Sequence, residues 1–471
     1  MTQELWRLGA TELAAGYRAG DFTPVDALDA CLARLAQWQP LVHAMVMVDR
    51  AGARQAAGAS RLRWARGKEL GPLDGVPVSL KDNLHAAGLP TTWGSKLLQG
   101  FVARADELPV ARLRAGGALI IGKTNLPEFA MQGYTSNIVA GTTRNPWDLA
   151  LTPGGSSGGA AAAVACGCGP LALATDGGGS IRRPASHTGL AGFKPSAGRV
   201  PRGGGLPELF LDYEVAGGLA RSVGDLQLLL QVLASAPTGA LLPEGLPRQR
   251  ILYVPRFGEH PVDPGIADQV RAAAGQLAAL GHTVEEAPRF LQAERVNALW
   301  PTLSSTGLAW MLGDAETWPE FRLPEGTLPD IALCTESIQA VLGEGLAAEG
   351  ATLFELLAAV RTLRCEMETL FARHDVILTP CTAALPWPAE QTHPPRIDNQ
   401  SVGPRGHAVF TAFANAAGLP AIALPSGFVQ GLPTGFQLVG APGADDALLA
   451  LAREYEQAHT WAQAWPELPR E

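Results

Sequence analysis

The sequence predicts an α/β protein, a sheet with helices on its faces, and three observations lead there. Short apolar runs alternate with longer segments of helical periodicity along the chain. Apolar residues make up 47% and charged residues only 17% of 471, enough to bury a large core. Gly and Pro, at 54 and 37, punctuate the apolar runs without reaching a low-complexity composition.

Residues 5–38 carry apolar positions at helical spacing with two candidate starts, Thr11-Glu12-Leu13 and Thr23-Pro24-Val25, so two helices open the chain. Residues 73–80 read as a turn and a short strand, with Lys81 at the strand end. Residues 107–115 form a helix with Pro109 in its first turn, and 118–121 a fully buried strand. The run 158–174, mostly Ala and Gly, falls short of the ~20 apolar residues of a membrane span and reads as buried helix and strand. Further strands are expected at 251–254, 376–378 and 421–424. Residues 293–373 are mainly helical and carry Trp300, Trp310 and Trp318, while 201–207 and 386–405 are loops. No internal repeat interrupts this order.

A net charge of −9 and a pI near 5.6 argue against nucleic-acid and anionic-membrane partners, which select basic stripes, and favour a small-molecule substrate. The first 22 residues mix acids with apolar positions and have no basic start before an apolar block, so no export signal is expected. Six cysteines (31, 166, 168, 334, 365 and 381) form no CxxC pair, which predicts a reduced, cytoplasmic setting with Cys166 and Cys168 as small core residues. No HExxH or clustered His/Cys/Asp spacing implies a metal, and no cofactor is expected. Nothing in the sequence sets the oligomeric state.

The stretch 154–180 carries the chemistry. Two serine-bearing glycine turns frame an apolar run, and Lys81 lies upstream in Ser79-Leu80-Lys81-Asp82-Asn83. Hydrolysing an unactivated acyl bond needs a nucleophile, a base, an acid for the leaving group and donors for the oxyanion. In Thr175-Asp176-Gly177-Gly178-Gly179-Ser180, successive small residues can turn N–H groups inward beside a hydroxyl, which suits Ser180 as nucleophile. Lys81 qualifies as base only if burial lowers its pKa from roughly 10.4 towards neutrality, and Ser156 could then relay the proton. Taken singly, a serine between glycines is commonly a turn residue and a lone lysine commonly solvated.

Two other motifs compete. Gly117-Ala118-Leu119-Ile120-Ile121-Gly122-Lys123-Thr124 satisfies GxxxxGK[ST], but Ala-Leu-Ile-Ile is itself strand-like and Pro127 interrupts the helix that a phosphate loop requires. Gly154-x-Ser156-x-Gly158 fits a nucleophile elbow, and with His374, His393, His407 or His459 it would make a Ser-His-Asp esterase. That reading leaves Lys81 and the second glycine turn unexplained.

Together the residues resemble the amidase signature family. Pro153-Gly154-Gly155-Ser156-Ser157-Gly158-Gly159 is similar to its serine-glycine motif, and Thr175-Asp176-Gly177-Gly178-Gly179-Ser180-Ile181-Arg182-Arg183-Pro184-Ala185 to its nucleophile loop. The intervals of 75 residues from Lys81 to Ser156 and 24 from Ser156 to Ser180 agree as well, and the likeness extends through residues 71–83, 122–129, 144–147 and 416–440. It implies one α/β domain over 1–471 with a mixed sheet flanked by helices, a core at about 60–235 and 370–460, and a variable, substrate-side helical region at about 290–370. It also implies a Ser-cisSer-Lys triad of Ser180, Ser156 and Lys81, with a cis peptide before Ser156. The oxyanion would be held by the N–H groups of Gly177, Gly178, Gly179 and Ser180. Asp176 and Arg182 are expected to pair beneath the loop, and Ser157 to bond near the lysine, in support.

The resemblance includes the glutaminase (A) subunit of tRNA-dependent amidotransferases. Those subunits carry a basic, tyrosine-containing segment at positions corresponding to about 320–360, where this chain has mostly acids, Gly and Ala, so a free-standing hydrolase is the first expectation and the partner-bound subunit the second. Gly177 stands where many relatives carry Ile or Thr. With the sequence through Gly189, the loop looks more like bacterial amidases that act on aryl amides and anilides, with esters and carbamates (urethanes) as side activities. Met131, Tyr134 and Ile138, and the region from Trp300 to Trp318, are the apolar pocket candidates.

Overall fold

The computed structural model describes residues 4–234, 247–287 and 291–468. Two helices open it, α1 (Ala10–Ala19) and α2 (Pro24–Val42). The Thr23 hydroxyl caps α2 by accepting from the Asp26 N–H, the Asp26 carboxylate accepts from the Thr23 N–H at 2.8 Å, and Pro24 occupies the first turn. There follow β1 (Met45–Val48), α3 (Arg50–Trp64), β2 (Pro77–Lys81), α4 (Leu108–Ala115) and β3 (Leu119–Thr124). The middle of the chain builds α5 (Gly158–Ala165), β4 (Leu171–Asp176), α6 (Arg182–Thr188), β5 (Ala191–Lys194), β6 (Val215–Ala220) and α7 (Val223–Leu233). Next come β7 (Arg250–Tyr253), α8 (Pro264–Ala279), β8 (Thr283–Glu286) and three long helices, α9 (Leu291–Gly313), α10 (Glu336–Ala347) and α11 (Gly350–Phe371). The chain closes with β9 (Val376–Pro380), α12 (Ala412–Ala416), β10 (Ala421–Val429), β11 (Leu432–Gly440) and α13 (Asp445–Ala458).

The strands form one mixed eleven-stranded sheet in the order β1-β3-β2-β4-β6-β5-β10-β11-β9-β7-β8. The β3-β2-β4 and β9-β7-β8 groups pair in parallel, and the strands between them pair antiparallel. Helices cover both faces, so every residue of β2, β3, β4 and β6 is buried, and these strands read as apolar runs instead of alternating ones. The result is a single large α/β domain. Residues 158–174 are the expected buried helix and strand, with α5 packed so closely that a Cβ at Gly159 would run into the backbone of Asn125. Among the described residues no helix is long and apolar enough to cross a membrane.

The GxxxxGK[ST] segment is a turn followed by β3. Its Lys123 is fully buried, 3.2 Å from Asp82 Oδ1, and donates to the Pro90 carbonyl at 3.0 Å and Thr91 Oγ1 at 3.1 Å. A side chain committed in this way holds the strand and offers nothing to a phosphate.

Candidate active site

β2 ends at Lys81 in the interior of the sheet, and the side chain has no exposure to solvent. Its Nζ lies 2.8 Å from Ser156 Oγ, 3.1 Å from Thr175 Oγ1 and 3.3 Å from the Thr175 carbonyl. Burial pushes the ammonium down to about 8, against the opposing pull of Glu214 and Asp176. No carboxylate forms an ion pair with it among the described residues. Asn83 continues the network, donating to Thr175 Oγ1 at 3.0 Å and Glu214 Oε1 at 3.3 Å, and Arg202 bridges Glu214 at 3.0 Å to Glu107 at 2.8 Å.

The first glycine turn carries Ser156 after a cis peptide bond from Gly155. Gly155 is required by the neighbouring chain, because a Cβ there would meet the backbone of Tyr134. Thr135 braces the turn, its hydroxyl donating to the Gly154 carbonyl at 2.8 Å and accepting from the Gly158 N–H at 3.2 Å. Ser157 Oγ donates to the Thr175 carbonyl, which Lys81 also uses, at 3.3 Å.

The second turn leaves β4 at Asp176 and enters α6 at Arg182. Asp176 and Arg182 are both fully buried and joined by two contacts, Nη2 to Oδ1 at 2.9 Å and Nε to Oδ2 at 3.1 Å. Burial opposes ionisation of Asp176, but Arg182 and the backbone N–H groups override it and hold the carboxyl far below the usual range. Arg182 also reaches the C-terminal part of the chain: the Thr411 carbonyl at 3.1 Å, Asn415 Oδ1 at 2.6 Å and Gln437 Oε1 at 2.9 Å.

Asp176 corrects one sequence expectation. Its Oδ1 accepts the Gly179 N–H at 2.6 Å, so that donor is spent inside the loop and faces no ligand. Gly177, Gly178 and Ser180 keep N–H groups with no partner among the described residues, and all three line the pocket. Gly179 has φ +111°, and a Cβ there would strike the Thr411 side chain.

Ser156, Ser180 and the Thr175 side of the lysine network meet at the floor of an open pocket with about 580 Å³ of empty space. Its walls come from distant segments: Met131 and Gln132, Phe210, Trp300, and the loop bearing Arg405 and His407. Of the three specific pocket candidates, Met131 is in this wall. Tyr134 and Ile138 are not among its lining residues: the Tyr134 backbone lies against Gly155, and Ile138 is 41% exposed. Trp300 lines the pocket, whereas Trp310 and Trp318, which meet edge to face, are not among its lining residues.

Arg183, Glu214, Arg405 and His407 are wall residues beyond those expected from the sequence. The adjacency of Arg183 to the nucleophile loop was the one available signal. None of His374, His393, His407 and His459 hydrogen-bonds Ser156 or Ser180 among the described residues. His374 faces Glu285 at 3.1 Å and His407 contacts Arg183 at 3.3 Å. Among the described residues no group of three His, Cys, Asp or Glu side chains could hold a metal ion.

The family model described as Amidase matches residues 26–449. The A subunit of glutamyl-tRNA(Gln) amidotransferase from Symbiobacterium thermophilum is 35% identical over 501 residues, covering 98% of this chain and 99% of that protein. Among solved structures, a bacterial aryl acylamidase of the amidase signature family superposes with a TM-score of 0.87 at 27% identity, covering 97% of each chain. A 6-aminohexanoate cyclic dimer hydrolase solved with its substrate also gives 0.87, at 28% identity, covering 98% of this chain and 99% of the other.

Proposed function

The chain belongs to the amidase family and is an enzyme of amide hydrolysis; on that premise we propose that Ser180 is its nucleophile, Ser156 its proton relay and Lys81 its base. The observation that carries the proposal is the 2.8 Å contact between Lys81 Nζ and Ser156 Oγ beneath a pocket that Ser180 shares. Burial keeps a large share of Lys81 neutral near pH 8, so the amine can take a proton. Ser180 Oγ attacks the amide carbonyl and its proton passes through Ser156 to Lys81. The N–H groups of Gly177, Gly178 and Ser180 receive the developing oxyanion. The proton returns through Ser156 to the departing amine as the C–N bond breaks, and water then cleaves the acyl-enzyme by the same route.

Met131, Phe210 and Trp300 give the pocket an apolar side suited to aryl or alkyl amides, with carbamates and esters as further substrates of the same chemistry. Ser180→Ala is expected to lose roughly a thousandfold or more in kcat, and Ser180 to be labelled by a fluorophosphonate in the wild-type protein. Near-normal turnover by folded Ser180→Ala protein, with no labelling of Ser180, would overturn the assignment.

A second reading is the glutaminase component of an amidotransferase, in which the same triad releases ammonia from glutamine for a partner. Sequence identity to such proteins over nearly the full chain supports it, more strongly than the motifs do. Against it stands the segment 320–360, which holds a single arginine, Arg322, and no lysine or tyrosine among its acids, Gly and apolar residues. Glutaminase assays with and without candidate partners separate the readings: activity on aryl amides by the isolated chain favours the first, and glutamine hydrolysis that appears only with a partner favours the second.

A further inference from the structure

Three carbonyls of the nucleophile loop are tied down by other parts of the chain. The Asp176 carbonyl accepts from Asn415 Nδ2 at 2.7 Å, and the Gly178 carbonyl accepts from Thr411 Oγ1 at 2.6 Å. The Gly179 carbonyl accepts the Arg183 N–H at 2.9 Å. Among the described residues the only cis peptide bond is the one before Ser156, so these peptides are trans. A trans peptide points its C=O and N–H in opposite directions, and whatever holds the carbonyl also aims the amide of the next residue. The three planes fixed in this way carry the N–H groups of Gly177, Gly179 and Ser180.

Two of the three donors come from one short helix. Thr411 stands at the N-terminal edge of α12 and Asn415 one turn further on, and both are buried. Side chains four apart on a helix lie about 6 Å from each other, within the ~7 Å that two residues of chain can span, so one helix face can meet carbonyls 176 and 178 together. Arg182 anchors the pair, donating to the Thr411 carbonyl at 3.1 Å and to Asn415 Oδ1 at 2.6 Å. An arginine only donates, which fixes the Asn415 amide with its Nδ2 toward the loop.

The plane between Gly178 and Gly179 is held at both ends, by Thr411 at its carbonyl and by Asp176 Oδ1 at its N–H, each at 2.6 Å. Glycine on either side gives this plane the least resistance to turning over. Turned over, it would bring a carbonyl oxygen against the Asp176 carboxylate and tilt the flanking N–H groups of Gly178 and Ser180. We propose that Thr411 is a positioning residue of the oxyanion site, its hydroxyl holding the Gly178 carbonyl so that the amides of Gly178 and Ser180 stay aimed into the pocket, with Asn415 doing the same for Gly177. The proposal rests on the reading of Ser180 as nucleophile and names what sets the donors around it. Neither Thr411 nor Asn415 lines the pocket, so both act through the loop.

Thr411→Val removes the hydroxyl and Thr411→Ser keeps it. With the 4-nitroanilide of butanoic acid as substrate, Thr411→Val is expected to lose about tenfold or more in kcat with KM within about threefold of wild type, the pattern of an interaction made only in the transition state. Thr411→Ser is expected to retain at least about a third of the wild-type kcat.

Hydrogen exchange of the Gly179 amide, followed by NMR in protein carrying isotope-labelled glycine, reads the plane without turnover. That amide is expected to exchange at least about tenfold faster in Thr411→Val than in wild type or Thr411→Ser. Thr411→Ala serves both measurements if Thr411→Val does not fold. If the wild-type protein hydrolyses no amide and Ser180 takes no fluorophosphonate, the hydrolase assignment fails, and exchange alone decides whether Thr411 holds the plane. In an active enzyme, a wild-type kcat in Thr411→Val, unchanged exchange of Gly179, or a Thr411→Ser protein as impaired as Thr411→Val each overturns the proposal and leaves the hydrolase assignment intact.

Discussion

Lys81 Nζ, on a side chain with no exposure to solvent, sits 2.8 Å from Ser156 Oγ, and among the described residues its only other side-chain partner is the hydroxyl of Thr175. Bonded to two hydroxyls and a carbonyl, this lysine has no carboxylate ion partner among the described residues to hold its proton. The carboxylates of Glu214 and Asp176 act on it through space and are each engaged with an arginine. A base of this kind is set by desolvation and trimmed by distant charge.

The pH profile should therefore show one rising limb with a midpoint near 8, as Lys81 loses its proton. Glu214 raises the Lys81 value, so Glu214→Gln removes a stabiliser of the ammonium and should move the limb to lower pH. The check is kcat/KM against pH for both proteins; a limb that stays fixed or moves upward in Glu214→Gln contradicts the coupling.

Replacing Asp176 with Asn leaves Arg182 buried without its counter-charge. A loss of about 3–5 kcal/mol in stability is expected, because breaking a buried pair strands one ion. The urea midpoint of the variant measures it, and a midpoint equal to wild type would show that Asn415 and Gln437 suffice to hold the guanidinium.

Gly179→Ala places a Cβ on the Thr411 side chain at a backbone angle of φ +111°. The loop must shift, and with it the N–H groups of Gly178 and Ser180. A fall of about a hundredfold in kcat is expected, the order seen when one oxyanion donor is lost, with KM changing little. Stopped-flow separation of acylation from deacylation should locate the loss in acylation as well as in turnover.

Thr135→Val keeps the shape of the side chain and removes a hydroxyl that serves both ends of the first glycine turn. Two buried backbone groups then lack partners, at about 1–3 kcal/mol for each group left unsatisfied. Thermal unfolding reads the stability, and a drop in kcat that exceeds the rise in KM would tie the turn to the placement of Ser156.

Much of this was legible in the sequence because it is local. The apolar runs at 118–121, 251–254, 376–378 and 421–424 became strands, and Pro24 and Pro109 marked helix starts, since periodicity and first-turn prolines act within a few residues. The strands Ala191–Lys194 and Val215–Ala220 escaped notice, for their Gly- and Ala-rich sequences carry little β signal and are held in place by the sheet around them.

The site divides in the same way. Lys81, Ser156 and Ser180 can be named from motifs, and Met131 and Trp300 as apolar candidates, but Phe210, Arg405 and His407 cannot, because they reach the pocket only after the chain has folded over it. Tyr134 and Ile138 qualify by apolarity next to a motif, but the Tyr134 backbone lies against Gly155 and serves the turn. The fate of the Gly179 N–H was hidden for a related reason, since no spacing rule tells which of four successive amides a neighbouring carboxylate will claim.

Arg182 has a further consequence for how the protein is made. The three residues of the proposed triad all lie within the first 180 positions, yet the arginine under the nucleophile loop takes its remaining bonds from Thr411, Asn415 and Gln437. A nascent chain thus exposes Lys81, Ser156 and Ser180 long before the ribosome delivers the groups that set the loop. A chain cut short before residue 437 carries Lys81, Ser156 and Ser180 but lacks one of the side chains that hold Arg182 beneath the loop.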